Sequence, residues 1–325
     1  MDEPEDTATR RDLWVLGGLF ALMLGCLVTA AIATGWEETW AEITRLTGLQ
    51  VALLLLLSLV NYLFRGARWH LFSRRLGLGT FVAQDMRHYF GGFAMSATPG
   101  RVGELVRMRW LKRETGWGID RTAPLFIADR AADLAAMGLI LALALALSAG
   151  GIGGALPVIA LALGAAYVAT HPTLLAAFAD WAYRLTGRFA RLFARLRAAA
   201  RSLSVFRSPS TLMLAGLLGV LGWLAEGVAF HLLLVWMGAD IGLWLAVAII
   251  VYAARAGGLT GAPGGLGGAE AAMIALLTLE GVSLAVAIPA TLIIRVTTLW
   301  FAIGLGLLVF PLAERQSQRH RHANP

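Results

Sequence analysis

The sequence predicts an all-α polytopic membrane protein, with about six transmembrane helices and two re-entrant helical hairpins in an inverted repeat. Three observations carry that prediction. Hydrophobic residues make up 58% of the 325-residue chain and charged residues only 14%, with a mean hydropathy of +0.71; an ordinary soluble domain is excluded by that balance. The 27 basic residues behind the net charge of +7, all arginine except Lys112, fall in short loops beside apolar runs. That is the pattern of cytoplasmic loops, not of a nucleic-acid-binding face. Finally, Pro263-Gly264-Gly265-Leu266-Gly267-Gly268-Ala269-Glu270 sits between apolar runs at 242–259 and 271–279, each short of the ~20 residues needed to cross the hydrocarbon.

In chain order, residues 1–12 form an acidic tail ending in Arg10-Arg11, and residues 13–34 a first apolar span. Ala31-Ile32-Ala33 faintly resembles a signal-peptidase site, but the run is longer than a usual signal core, which favours an uncleaved span. Cys26, the single cysteine, lies in that span; it reads as helix packing, with no disulfide framework and no cysteine metal site. Residues 35–48 carry Glu37, Glu38 and Glu42 against one arginine and read as periplasmic. The second span, 49–64, ends in Arg65, Arg68, Arg74 and Arg75, read as a cytoplasmic cluster with Trp69 at the interface. Segments 81–98 and 102–111 flank a broken turn, and Arg107, Arg109, Lys112, Arg113 and Arg121 follow it. Basic residues at both ends place both ends in the cytoplasm, so this segment enters the membrane and returns.

The span 122–148 contains Asp129, Arg130 and Asp133, a tight turn follows at 150–154, and 156–170 returns inward. The segment 172–210 holds seven arginines, of which Arg184, Arg188, Arg191 and Arg195 share a helix face beside an apolar stripe. It reads as a cytoplasmic amphipathic segment on anionic lipid, with a docking helix for a partner enzyme as the alternative. Residues 211–237 span outward with Trp223, Glu226 and His231. Gly238-Ala239-Asp240 turns outside, the second hairpin follows, and 283–311 spans inward with Arg295 near its middle. Residues 13–312 thus form one membrane domain, and 313–325 a tail with Arg315, Arg319 and Arg321. Both termini are expected on the cytoplasmic side of a bacterial inner membrane.

The broken turn has a second copy. Pro99-Gly100-Arg101-Val102-Gly103-Glu104 repeats the Pro-Gly…Gly…Glu order of 263–270. Each copy is followed by an arginine in an apolar helix, 26 residues on from Glu104 to Arg130 and 25 on from Glu270 to Arg295. Each is preceded by a polar residue in another apolar helix, Asn61 in one copy and Glu226 in the other. Aligned features at near-equal spacing define repeat one over 49–148 and repeat two over 211–311. Hairpin one opens to the basic side, and hairpin two, with no basic cluster at its ends, opens by parity to the other. Upside-down halves with broken helices at the midplane are the build of secondary transporters.

A charge at the bilayer centre costs at least ~2.5–3.5 kcal/mol, so intramembrane charges mark function or pairing. The candidate binding residues are Gly100, Arg101, Gly103, Glu104, Arg130, Glu226, Arg255, Gly264, Gly265, Gly267, Glu270 and Arg295. Arg130 and Arg295 are candidates for a lipid phosphate, which guanidinium grips bidentately, and the glycine amides add half-helix dipoles. Pairing with Asp129 or Asp133 is the alternative for Arg130, and for Arg295 pairing with Glu226 or Glu270 is equally open. So is the choice for Glu104 and Glu270 between pairing and titration. Arg101 has no basic counterpart in the second copy. The scattered histidines form no metal-ligand cluster, no nucleophile-base order stands out, and the glycine-rich tips lack the Lys-Ser/Thr of a P-loop. No cofactor and no enzymatic activity are expected.

Gly91-Gly92-Phe93 with Pro99…Gly103-Glu104, Asp129-Arg130, Trp223…Glu226 and Pro263-Gly264-Gly265-Leu266-Gly267…Glu270 together resemble the lysylphosphatidylglycerol synthase transmembrane-region family of flippase-like, YbhN-like proteins. The likeness covers residues from about 10 to 312. It implies movement of lipids between leaflets. In larger members a soluble synthase domain follows; this sequence ends at Pro325, so synthase activity is not expected. Stand-alone relatives are connected with polyprenyl-linked sugars, hopanoids and phospholipids, which leaves the substrate open. The expectation is a flippase for an anionic phospholipid or a polyprenyl-phosphate-linked lipid. Its rivals are a non-transporting scaffold for a lipid-modifying or glycosyl-transferring enzyme, and a lipid-active membrane enzyme.

Overall fold

The computed structural model describes residues 44–96, 98, 104–147, 171–186 and 203–323, with isolated positions between them. The expected span 13–34, most of 148–170, the basic stretch 187–202, and Gly100, Arg101 and Gly103 of the first tip lie outside the described residues. Among the described residues every regular element is helical. Helix α1 runs Gly48–Arg75, α2 Val82–Gly92, α3 Val106–Thr115, α4 Ile119–Leu147, α5 Pro172–Thr186 and α6 Pro209–Trp236. Then come α7 (Leu243–Leu259), α8 (Gly268–Leu279), α9 (Leu284–Arg295) and, after a π-helical turn Val296–Trp300, α10 (Phe301–Ala323).

Local sequence sets these boundaries. Thr47 opens α1 with a reciprocal cap, its hydroxyl accepting from the Gln50 amide while the Gln50 side chain accepts from Thr47 N–H. Ser208 caps α6, with Pro209 in the first turn where no intrahelical donor is missed. Between α7 and α8, Gly261, Gly264, Gly265 and Gly267 all hold positive φ, a backbone that other residues adopt only under strain. The chain reverses there within a 3-10 turn, Pro263–Gly265.

Among the described residues four helices are long and apolar enough to cross a membrane: Gly48–Arg75, Arg121–Leu147, Pro209–Trp236 and Leu284–Arg319. Helix α7 has 17 residues and α8 has 12, the latter about 18 Å long at ~1.5 Å per residue, so neither crosses a ~30 Å hydrocarbon core. Large apolar side chains such as Leu49, Met213, Leu259, Leu279 and Leu308 lie on the outside, as a surface facing lipid requires.

Helices α1 and α6 make the most extensive helix pair, and they run antiparallel. Asn61 meets Glu226, Arg65 stands over the Trp223 ring at 5.8 Å, and Arg68 reaches Gly219; numbers rise along α1 as they fall along α6. Glycine permits that crossing, because a Cβ at Gly222 would lie 2.6 Å from Asn61 Oδ1. Helix α7 packs on α6 and α4, while α2, α3 and the 3-10 turn Phe93–Met95 pack on α10. The second contact is backbone-close, since a Cβ at Gly306 would lie 2.1 Å from the Ala94 nitrogen. Helix α7 therefore leans on α4, and α2 and α3 lean on α10.

Three expectations are corrected. Arg65 and Arg68 do not belong to a cytoplasmic cluster: α1 continues through them to Arg75, and both are buried against α4. Trp69 is fully buried under the Arg107 guanidinium rather than at an interface. The last helix does not stop at residue 311 but continues to Ala323, because Glu314 ties it to α3 through Arg109, Arg113 and Trp110.

Candidate functional site

The centre of the bundle holds a network of arginines and carboxylates contributed by both halves. Asp133 on α4 is its hub. The carboxylate receives Arg65 (3.4 Å) and Arg68 (3.3 Å) from α1, the Trp223 indole N–H (3.3 Å) from α6 and Arg255 (3.4 Å) from α7. One turn earlier, Asp129 Oδ1 accepts from Arg68 Nε at 3.0 Å and Nη2 at 2.9 Å. Burying such charges is tolerable only with this density of partners, and removing one partner leaves an uncompensated charge.

Both of the arginines spaced after a Glu in the sequence lie beside that Glu. Arg130 Nη2 donates to Asp129 at 2.8 Å and stands 3.6 Å from Glu104. In the second half Arg295 Nε donates to Glu270 at 2.5 Å, and its Nη2 donates to the Gly264 carbonyl at 2.9 Å. Glu104 also accepts from Ser96 (2.9 Å) and lies 3.2 Å from Arg107. Arg107 is enclosed by Trp69, Tyr89 and Phe93, at 5.3, 4.2 and 5.8 Å from the ring centroids. Asn61 and Glu226, separated by 165 residues, hydrogen-bond to each other at 2.5 Å.

Two cavities adjoin the network. The larger, about 200 Å³, is lined by Arg130, Asp133, Trp223, Arg255, Arg295 and tip residues including Gly264 and Gly265. The smaller, about 70 Å³, is lined by Tyr62, Arg65, Ser96, Glu226, Arg295 and Thr298 among others. Trp223, Ala254, Ala269 and Arg295 belong to both walls. The π-helical turn lies at the smaller one, where the Tyr62 hydroxyl donates to the Thr298 carbonyl, a placement typical of such turns near functional sites.

Of the residues expected from the sequence, Arg130, Arg255, Gly264, Gly265 and Arg295 meet in the larger cavity, and Glu226 lines the smaller. Glu104 and Glu270 are arginine-paired and line neither cavity. Gly267 caps α8 without lining them. Sequence reasoning named Asp133 only as a span residue and a possible partner of Arg130, read Arg65, Arg68 and Arg107 as loop charges, and did not single out Tyr62. The signal available for Asp133 was its place one turn after Asp129-Arg130 in an apolar helix. Among the described residues no group of histidine, cysteine or acidic side chains is arranged to hold a metal ion.

The described residues, all-helical in their regular elements and including four membrane-length apolar helices around a buried ionic centre, define a multi-pass integral membrane protein. The family model for the lysylphosphatidylglycerol synthase TM region matches residues 14–306, so the chain belongs to that family. It is also similar to a UPF0104 membrane protein of Methanothermobacter thermautotrophicus, 29% identical over 89 residues. That match spans 27% of this chain and 26% of the relative.

Proposed function

We propose that the protein is a lipid flippase of the cytoplasmic membrane that carries an anionic head group through the larger cavity. One observation carries the reading. Arginines from α4, α7 and α9 converge with the glycine tip of α7–α8 on one cavity of about 200 Å³, beside helices of 17 and 12 residues, each short of the ~20 needed to cross the hydrocarbon. Guanidinium groups and a glycine-rich helix start are the chemistry that takes a phosphate.

In this reading the chain has about six spans, and α2–α3 and α7–α8 are re-entrant hairpins entering from opposite leaflets. The antiparallel crossing of α1 on α6, with Asn61 and Glu226 touching, supports halves related by a pseudo-two-fold axis in the membrane plane. Rocking one half against the other then moves the head group between leaflets while the acyl chains stay in lipid. The substrate is an anionic phospholipid or a polyprenyl-phosphate-linked lipid, and no covalent chemistry is assigned to the protein.

Reconstitution into proteoliposomes with a head-group-accessible fluorescent phosphatidylglycerol and a labelled polyprenyl phosphate tests the proposal. It expects one of them to exchange between leaflets faster than in protein-free vesicles, and slower again with Arg255→Gln. Folded protein that exchanges neither lipid would sink it.

A further inference from the structure

We infer that the arginines of the larger cavity divide their work: Arg255 is the guanidinium that takes the ligand's anion, whereas Arg295 is a positioning residue that holds the hairpin tip. The inference rests on the anion cavity proposed above and assigns roles within it. Arg295 is already committed. Its Nε serves Glu270 at 2.5 Å and its Nη2 the Gly264 carbonyl at 2.9 Å, so one side chain on α9 ties both ends of the tip. Its side chain is only 11% exposed. Glu270 depends on it further, because the other carboxylate oxygen, Oε2, is buried with no hydrogen-bond partner among the described residues. Moving Arg295 to a ligand would strand that acid, at the cost attached to an unpaired buried charge.

Arg255 is in the opposite position. It pairs with Asp133, at a long 3.4 Å, and its side chain is 45% exposed, against 29% for Arg130. Asp133 would not be stranded by its departure, since Arg65, Arg68 and the Trp223 N–H remain within 3.4 Å. Asp133 therefore acts as a stand-in anion that keeps Arg255 turned into the cavity and releases it when a phosphate arrives. The position 165 residues before Arg255, by the offset that relates Asn61 to Glu226, is Phe90. The anion contact thus has no copy in the first half.

The test is thermal unfolding of the detergent-purified protein titrated with dihexanoylphosphatidylglycerol, with dihexanoylphosphatidylcholine and inorganic phosphate as parallel arms. The anionic lipid is expected to raise the midpoint of the unaltered protein. Arg255→Gln should weaken the apparent affinity about ten-fold or more, the scale of one lost charge-assisted hydrogen bond, and Arg255→Lys should recover part of it. Arg295→Gln should lower the anion-free midpoint while the affinity of the folded protein stays within about three-fold. If Arg295→Gln does not fold, Arg295→Lys serves, since it keeps a cation for Glu270 and loses the second bond to the tip. Unchanged affinity in Arg255→Gln, or an equal loss in the Arg295 variant, overturns the division of roles. An equal response to inorganic phosphate upholds Arg255 and assigns the ligand as the phosphate alone. If the unaltered protein gains nothing from any anion, the anion cavity itself fails, and the division of roles with it.

Discussion

Asp133 shows how much a single buried carboxylate can organise. Its partners come from α1, α6 and α7, so the side chain joins both halves of the molecule. Replacing it by asparagine keeps the shape but leaves Arg65, Arg68 and Arg255 with one carboxylate fewer among them. We expect Asp133→Asn to cost about 3–5 kcal/mol, the usual result of removing one member of a buried ionic group, read as a large fall in the thermal midpoint of purified protein. A midpoint within a degree or two of the parent would show that the hub contributes little. Such hubs are hard to read from sequence. The 26-residue and 25-residue spacings already linked Glu104 to Arg130 and Glu270 to Arg295, because those pairs sit within one repeat. Asp133 pairs with arginines 65 and 68 residues away, and arginines after an apolar run are read first as loop charges.

At the scale of elements, α3 is held by charge at its far end. Glu114 accepts from Arg87 at 2.7 Å and from Gln84, and lies 3.1 Å from the His88 ring. Burial pushes its carboxyl up, but His88, Gln84 and Arg87 outweigh burial and hold it below its ordinary value of 4.5. A depressed carboxyl stabilises the folded state above its unfolded-state value, and that contribution disappears as pH falls through the folded one. Glu114→Gln should therefore lower the thermal midpoint at neutral pH and reduce its decline below about pH 4.5. An acid limb as steep as the parent's would contradict this. The extent of α10 was illegible for a related reason. Polar composition after Pro311 reads as a tail, yet buried Ala313, Glu314 and Ser317 dock it on the arginines of α3. Only the partner element reveals that those polar residues face protein.

For the whole molecule, composition made the membrane class readable, since hydropathy is a local property. The expected second hairpin at 242–279 corresponds to α7 and α8, whereas α1 and α10 run past the ends that apolar composition suggested. What sequence left open is which half touches which, and the antiparallel α1–α6 pair supplies that answer. The account of lipid movement depends on those halves standing upside down in one membrane. Single cysteines at Gly79, Lys112, Asp240 and Ser283, in a Cys26→Ala background, test this through labelling with a membrane-impermeant thiol reagent from each side. Positions 79 and 112 should react from the cytoplasmic face only, and positions 240 and 283 from the opposite face only. Labelling of all four from one face would contradict the inverted arrangement and remove the basis for transport.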